Sequence, residues 1–396
     1  MIPYSRQNIE QSDIDAVLEV LQSDWLTQGP TVERFEQAVA QRCAAGYAVA
    51  VCNATAGLHI ACLAAGLGEG DWLWTSPNSF VASANCARYC GAEVDFVDID
   101  PLTWNLDPRA LKVKLQQAER DGRLPKVLVA VAFAGQSADM RAIAALAKRY
   151  GFVLIEDAAH ALGASYAGVP VGCGEFADMT VFSFHPVKII TTAEGGMVLT
   201  NRPQLAERLR LLRSHGVTRD PQQMLDASHG DWYYEQLILG FNYRMTDLQA
   251  GLGLSQLARL ERFVERRRAL AARYAQLLQG LPLSLPSAQP EANSAWHLYV
   301  VRLHTERLAT SHRQIFQALR QAGIGVNLHY IPIHLQPYYR ERGFALGDFP
   351  EAEHYYSQAI SLPLYPGMSD AQQDEVVARL SEQLVVLPQR QEAANA

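Results

Sequence analysis

The chain has 396 residues, 49% of them hydrophobic and 19% charged, with a formal net charge of −7. That length exceeds what one compact core usually fills, so two domains in one subunit are expected. The mild acidity gives no global electrostatic reason to bind nucleic acid or an anionic membrane, and neither partner is expected.

The N-terminus, Met1-Ile2-Pro3-Tyr4-Ser5-Arg6, lacks the apolar core of a signal peptide, and the later apolar runs are short and broken by Gly, Pro or charge. No membrane span is expected, and a cytoplasmic location follows by default. Pro30 suits the first turn of a helix reaching about Arg42. Up to about residue 250, apolar runs at 47–52, 94–97, 127–133, 152–155, 179–184 and 196–199 alternate with helical periodicity at 58–67, 139–150 and 204–213. Such alternation predicts an α/β fold with a mainly parallel sheet covered on both faces. Sheets of this kind bind ligands beyond the carboxyl ends of their strands.

A single long helix is predicted from Thr246 to about Leu281, followed by a Pro- and Ser-containing linker over 282–294. A strand at 297–303, a helix at 311–322, a strand at 325–331 and a helix at 369–384 then make a second, α+β domain. The tail after Pro388 is polar and expected to fray. These readings divide the chain into a large domain over 1–250 with an N-terminal arm over 1–12, a connecting helix over 251–281 and a small domain over 282–396. Arg259, Arg262, Arg266, Arg267, Arg268 and Arg273 read as a solvated helix face interleaved with Glu261 and Glu265, an anion site being the alternative. The six cysteines form no CxxC pair and read as buried, reduced thiols, with no metal site expected.

Only five lysines occur: Lys112, Lys114, Lys126, Lys148 and Lys188. The first four stand in polar or helix-end contexts or just before a strand, and read as ordinary solvated lysines. Lys188 alone is flanked on both sides by apolar, β-branched and hydroxyl residues, in Phe182-Ser183-Phe184-His185-Pro186-Val187-Lys188-Ile189-Ile190-Thr191-Thr192. Partial desolvation there favours the neutral amine, the form that attacks an aldehyde. A lysine snorkelling from a loop is the plainer alternative.

Asp157 closes an apolar run in Ile155-Glu156-Asp157-Ala158-Ala159-His160-Ala161. A carboxylate at a strand's end could bind a sugar, a metal or a protonated ring. Beside a reactive lysine, the ring reading sharpens, because pyridoxal phosphate works as an electron sink when a carboxylate holds its ring nitrogen protonated. His160 could donate to the cofactor's phenolate oxygen, or be structural. Asn53-Ala54-Thr55-Ala56-Gly57-Leu58 sits between a strand and a helix, where free amides and the helix dipole favour an anion such as the cofactor phosphate; a plain helix cap reads the same way. Phe80 offers an aromatic face for a flat ring, though a core phenylalanine is the commoner use.

Four blocks occur in order: residues 156–161, residues 182–185 leading to Lys188, Glu194-Gly195-Gly196-Met197, and Gly240-Phe241-Asn242-Tyr243-Arg244-Met245. On these the chain resembles the DegT/StrS-type sugar-nucleotide aminotransferases, from near Tyr4 to about Leu384. The resemblance implies the type I pyridoxal-phosphate aminotransferase fold and a homodimer. It implies Lys188 as the residue that binds the cofactor covalently, Asp157 at the ring nitrogen, Phe80 on the ring face and His160 nearby. Ala54, Thr55 and Ser183 would lie at the phosphate, with Asn242 entering from the partner subunit. Ala54 departs from the Gly that many members carry there. Residues 23–29, 183–192 and 328–332 are most similar to the branch acting in pseudaminic acid biosynthesis. That implies amination at C4 of a UDP-linked 4-keto-6-deoxy-N-acetylhexosamine, with L-glutamate as donor. Tyr4, Asp24, Trp25, Leu26, Thr27, Leu328, His329, Tyr330 and Ile331 would then touch the sugar nucleotide, with Ala54, Ser183 and Asn242 shared between cofactor and substrate. A 3-keto or a GDP- or dTDP-linked sugar stays open. A nicotinamide dehydrogenase would want a GxGxxG after the first strand, which is absent. A dehydratase of this fold lacks the lysine, and a non-catalytic regulator would be expected to lose Lys188 or Asp157.

Overall fold

A computed structural model describes residues 1–387, so the tail expected to fray lies outside the described residues. Seven strands form the central sheet: β1 (Tyr47–Val51), β2 (Trp72–Thr75), β3 (Glu93–Phe96), β4 (Val127–Val131), β5 (Val153–Asp157), β6 (Met179–Ser183) and β7 (Gly196–Thr200). Their order is β1-β7-β6-β5-β4-β2-β3. The pairs from β3 to β6 are parallel, while β7 runs antiparallel to both β6 and β1. The sheet is mainly parallel, as expected. No helix separates β6 from β7, so the chain can only return beside itself in the opposite sense.

Alternation along the strands divides the core in two. Val127 and Val129 pack on one face with Val49, Val51, Val181 and Val198, under helices α3 (Ala54–Ala64), α4 (Ala82–Tyr89) and α7 (Pro203–Arg213). Leu128 and Ala130 point the other way, against α5 (Pro108–Asp121) and α6 (Met140–Tyr150). On that same side Ala48, Ala50, Phe182 and Met197 pack against α2 (Pro30–Cys43). With both faces covered, the inner strands read as near-continuous apolar runs. Helix α1 (Gln11–Leu21) lies on α8 (Asp247–Leu257).

The predicted long helix is two, α8 and α9 (Leu260–Leu277). Between them Arg259 leaves helical geometry (φ −106°, ψ 7°), and its guanidinium is taken by Asp13, Asn8 and Glu10 of the N-terminal segment. Beyond α9, strands β8 (Tyr299–Leu303) and β9 (Ala359–Leu362) pair antiparallel, with Leu283–Ser284 on the far edge of β8. Their apolar residues share a core with α9, α10 (His312–Gln321) and a last helix, Asp370–Gln383.

The predicted strand over 325–331 does not form. The Gly325 amide donates to the Ile2 carbonyl at 2.7 Å, and a Cβ on Gly325 would come within 2.8 Å of that oxygen, so the N-terminal arm occupies the space a neighbouring strand needs. Past an isolated bridge from Asn327 to Ser361, the segment turns into the cavity described below.

Two smaller expectations also change. Arg267 is 1% exposed rather than solvated, because it lies on the α9 face that carries Val264, Leu270 and Ala271 into the core. Cys43, Cys62 and Cys86 are buried, but Cys52, Cys90 and Cys173 are only partly so.

Candidate active site

A cavity of about 870 Å³ opens at the carboxyl ends of β1, β5 and β6, where the sheet was expected to hold a ligand. Asp157 is the last residue of β5 and Ser183 the last of β6. Lys188 follows β6 in a tight turn, its amide donating to the His185 carbonyl at 2.8 Å. The arm comes in over this turn, and the Ser5 hydroxyl donates to the Val187 carbonyl at 3.0 Å.

Lys188 keeps one edge open to the cavity while protein atoms surround its amine. Burial pulls the ammonium down to about 8, against the opposing pull of the Asp157 charge. A useful fraction of neutral amine therefore exists near neutral pH.

Asp157 is 6% exposed, and burial raises its carboxyl above the usual range. Two donors oppose that: the Ser83 hydroxyl on Oδ2 at 2.6 Å and the Ala159 amide on Oδ1 at 3.2 Å. The Lys188 charge adds to them. Behind Ser83, the Ser79 and Ser83 hydroxyls meet at 2.7 Å.

Three imidazoles line the same wall. His160, His297 and His329 are all held below the ordinary histidine range, first by burial and then by nearby positive charge, Lys188 included. The His160 and His297 ring centroids are 4.3 Å apart. His329 reaches the Ser361 hydroxyl at 2.8 Å through Nδ1. The Tyr330 ring lies near-parallel to His160 with centroids 6.3 Å apart and its hydroxyl toward the imidazole edge, and Phe80, 58% exposed, meets the Tyr330 ring at 6.3 Å. Phe80 is therefore not a core residue; its face is open at the cavity.

Opposite the carboxylate, α3 begins at the cavity wall. The Asn53 side chain caps the Ala56 amide at 2.8 Å, and among the described residues the Ala54 and Thr55 amides take no partner. The start of β7 passes directly beneath this turn: a Cβ on Gly196 would lie 2.7 Å from the Ala54 nitrogen. That close approach is a physical reason for the second glycine of the 194–197 block.

Of the residues singled out from sequence, Tyr4, Ala54, Thr55, Phe80, Asp157, His160, Ser183, Lys188, Leu328, His329 and Tyr330 line this one cavity. Asp24, Trp25, Leu26, Thr27 and Asn242 do not; all five are exposed elsewhere on the same chain. Ile331 also points away and is 46% exposed. Sequence reasoning missed Ser79, Ser83 and His297. The four-residue spacing of the two serines, at the start of α4, was the one available signal for the first two.

The DegT/DnrJ/EryC1/StrS aminotransferase family model matches residues 7–381. The chain belongs to that family. As a DegT-family member the protein is a pyridoxal-phosphate-dependent sugar aminotransferase. It is 41% identical to the spore coat polysaccharide biosynthesis protein SpsC of Bacillus subtilis over 95% of both chains. It is similar to the structure of Helicobacter pylori PseC, an aminotransferase involved in the biosynthesis of pseudoaminic acid, with a TM-score of 0.87, 30% identity, and 97% and 99% of the two chains covered. The PMP form of the putative sugar aminotransferase Spr1654 of Streptococcus pneumoniae gives a TM-score of 0.87 at 29% identity, covering 96% and 98%.

The donor set of the cavity fits the DegT-family cofactor. It joins an amine that burial draws down to about 8, a buried carboxylate, an uncovered aromatic face, and a helix start with free amides beside the Thr55 and Ser183 hydroxyls. These match an aldehyde, a ring nitrogen, a ring face and a phosphate respectively.

Proposed function

We propose that the protein transfers the amine of L-glutamate to C4 of a UDP-linked 4-keto-6-deoxy-N-acetylhexosamine, in pseudaminic acid biosynthesis. The observation that carries the transamination reading is the pairing of Lys188 and Asp157 in one cavity, each charge acting on the other. The sugar is supported by the likeness to PseC.

Bound in the cavity, the cofactor supplies an electron sink for the substrate carbon that gains or loses a proton. In this reading Lys188 binds it covalently and, when displaced by substrate, moves that proton as a base and then an acid. Asp157 holds a proton on the ring nitrogen. The α3 amides, Thr55 and Ser183 take the phosphate, and Phe80 covers the ring. Tyr4, Leu328, His329 and Tyr330 face the sugar. Asn242, the segment 24–27 and Ile331 would serve a second subunit's cavity, in a cytoplasmic homodimer that shares its sites.

A second reading, amination of a different nucleotide-linked keto sugar, is favoured by the 41% identity to SpsC. The test is NMR identification of the product after the holoenzyme meets L-glutamate and a panel of keto sugar nucleotides. A new C4 amine on the UDP-linked sugar supports the first reading. Amination of another panel member alone supports the second. A cofactor-loaded enzyme that aminates none of them overturns both.

A further inference from the structure

Asp157 depends on a neighbour that lies far away in sequence. Burial presses its carboxyl toward the neutral form, and within the described residues only two hydrogen bonds and one cation work against that pressure. The Ser83 bond is the shorter of the two at 2.6 Å, and it comes from a side chain with no solvent exposure at all. A carboxylate accepts and cannot donate, so the Ser83 hydroxyl spends its one proton on Oδ2. The contact between Ser79 and Ser83, at 2.7 Å, then has a fixed sense: Ser79 donates and Ser83 accepts. Ser79 is itself 3% exposed and lines the cavity.

We propose that Ser83 is a positioning residue, with Ser79 behind it, that aims the Asp157 carboxylate and keeps it charged toward the cofactor's ring nitrogen. This rests on the reading of Asp157 as the ring-nitrogen partner, and is independent of which sugar is the substrate. Hydrogen bonds to a buried charge are stronger than neutral ones, and successive hydroxyls polarise one another. Without Ser83, the carboxyl would take up a proton or turn away. The first change removes the negative charge that holds a proton on the ring nitrogen, and the second removes the acceptor for its N–H.

The test uses pyridoxamine phosphate, whose amine cannot link covalently to Lys188, and its 1-deaza analogue, which carries C–H in place of the ring nitrogen. Affinities for the full-length protein freed of cofactor are measured by calorimetry. Wild type is expected to favour pyridoxamine phosphate strongly over the analogue. Ser83→Ala should weaken pyridoxamine phosphate about tenfold and the analogue by less than about twofold, while Ser83→Thr keeps both. Ser79→Ala, one bond further back, should narrow the same preference by a smaller factor and serves if the first variant misfolds. Equal losses for the two ligands, or no loss for either, would mean that the serines only fill space. If wild type itself fails to discriminate, the assignment of Asp157 falls, and this inference with it.

Discussion

The Tyr330 hydroxyl lies 3.2 Å from Nε2 of His160, and the Ala134 amide approaches Nδ1 of the same ring at 3.3 Å. An amide only donates, so Nδ1 accepts, and in the neutral ring that burial enforces Nε2 carries the proton toward Tyr330. Tyr330→Phe keeps the aromatic ring but strands that N–H. The expected result is a loss of up to about tenfold in kcat/KM together with a destabilisation of about 1–2 kcal/mol from the unpaired N–H. An unchanged kcat/KM would show that the tautomer needs no help from Tyr330.

Lys188→Ala should lower turnover by at least about a thousandfold and abolish the visible absorbance of covalently held cofactor, which borohydride would otherwise trap. The lowered lysine also predicts a pH dependence. Protonated amine cannot attack an aldehyde, so the rate of covalent cofactor capture should rise as pH climbs toward about 8 and level off above it. Stopped-flow absorbance checks this; a plateau reached only above pH 10 would contradict the buried amine.

Glu156 points to the opposite side of β5 from Asp157, accepting from the Ser137 hydroxyl at 2.8 Å, and burial pushes its carboxyl up to about 7. The native state therefore holds a proton that the unfolded chain releases from about pH 4.5 upward. The stability from this group is complete below the unfolded value and is lost as pH rises through about 7. Glu156→Gln imitates the protonated acid. It should match wild type at pH 4 and exceed it by on the order of 3 kcal/mol at pH 8. Urea unfolding at the two pH values decides; equal differences at both would refute it.

Arg267 donates from one guanidinium nitrogen to the carbonyls of Trp296, His297 and Leu364 at 3.2, 3.2 and 2.9 Å, and burial lowers it to about 9. It thereby joins α9 to the backbone of a cavity histidine. Arg267→Met should destabilise the protein by about 3 kcal/mol, because buried carbonyls lose their donor. Its kcat should also fall as His297 loosens. A variant with wild-type stability would mean that those carbonyls find other donors.

Much of this protein was legible residue by residue. Strand–helix alternation determined the covered, mainly parallel sheet, and apolar flanks set Lys188 apart from the other lysines, although packing also half-buries Lys114 beside Asp95 and lowers its amine, which its polar surroundings in sequence did not show. These signals are local, since desolvation by neighbours in the chain, side-chain period and capping act within a few residues. Tertiary structure alone decided that Ser83 meets Asp157 across 74 positions and that Tyr330 meets His160 across 170. It also turned Arg267 inward, and it kept residues 325–331 out of a sheet by laying the arm against Gly325. Which polar groups face one another across a cavity depends on where packing brings whole elements, and no spacing along the chain encodes that.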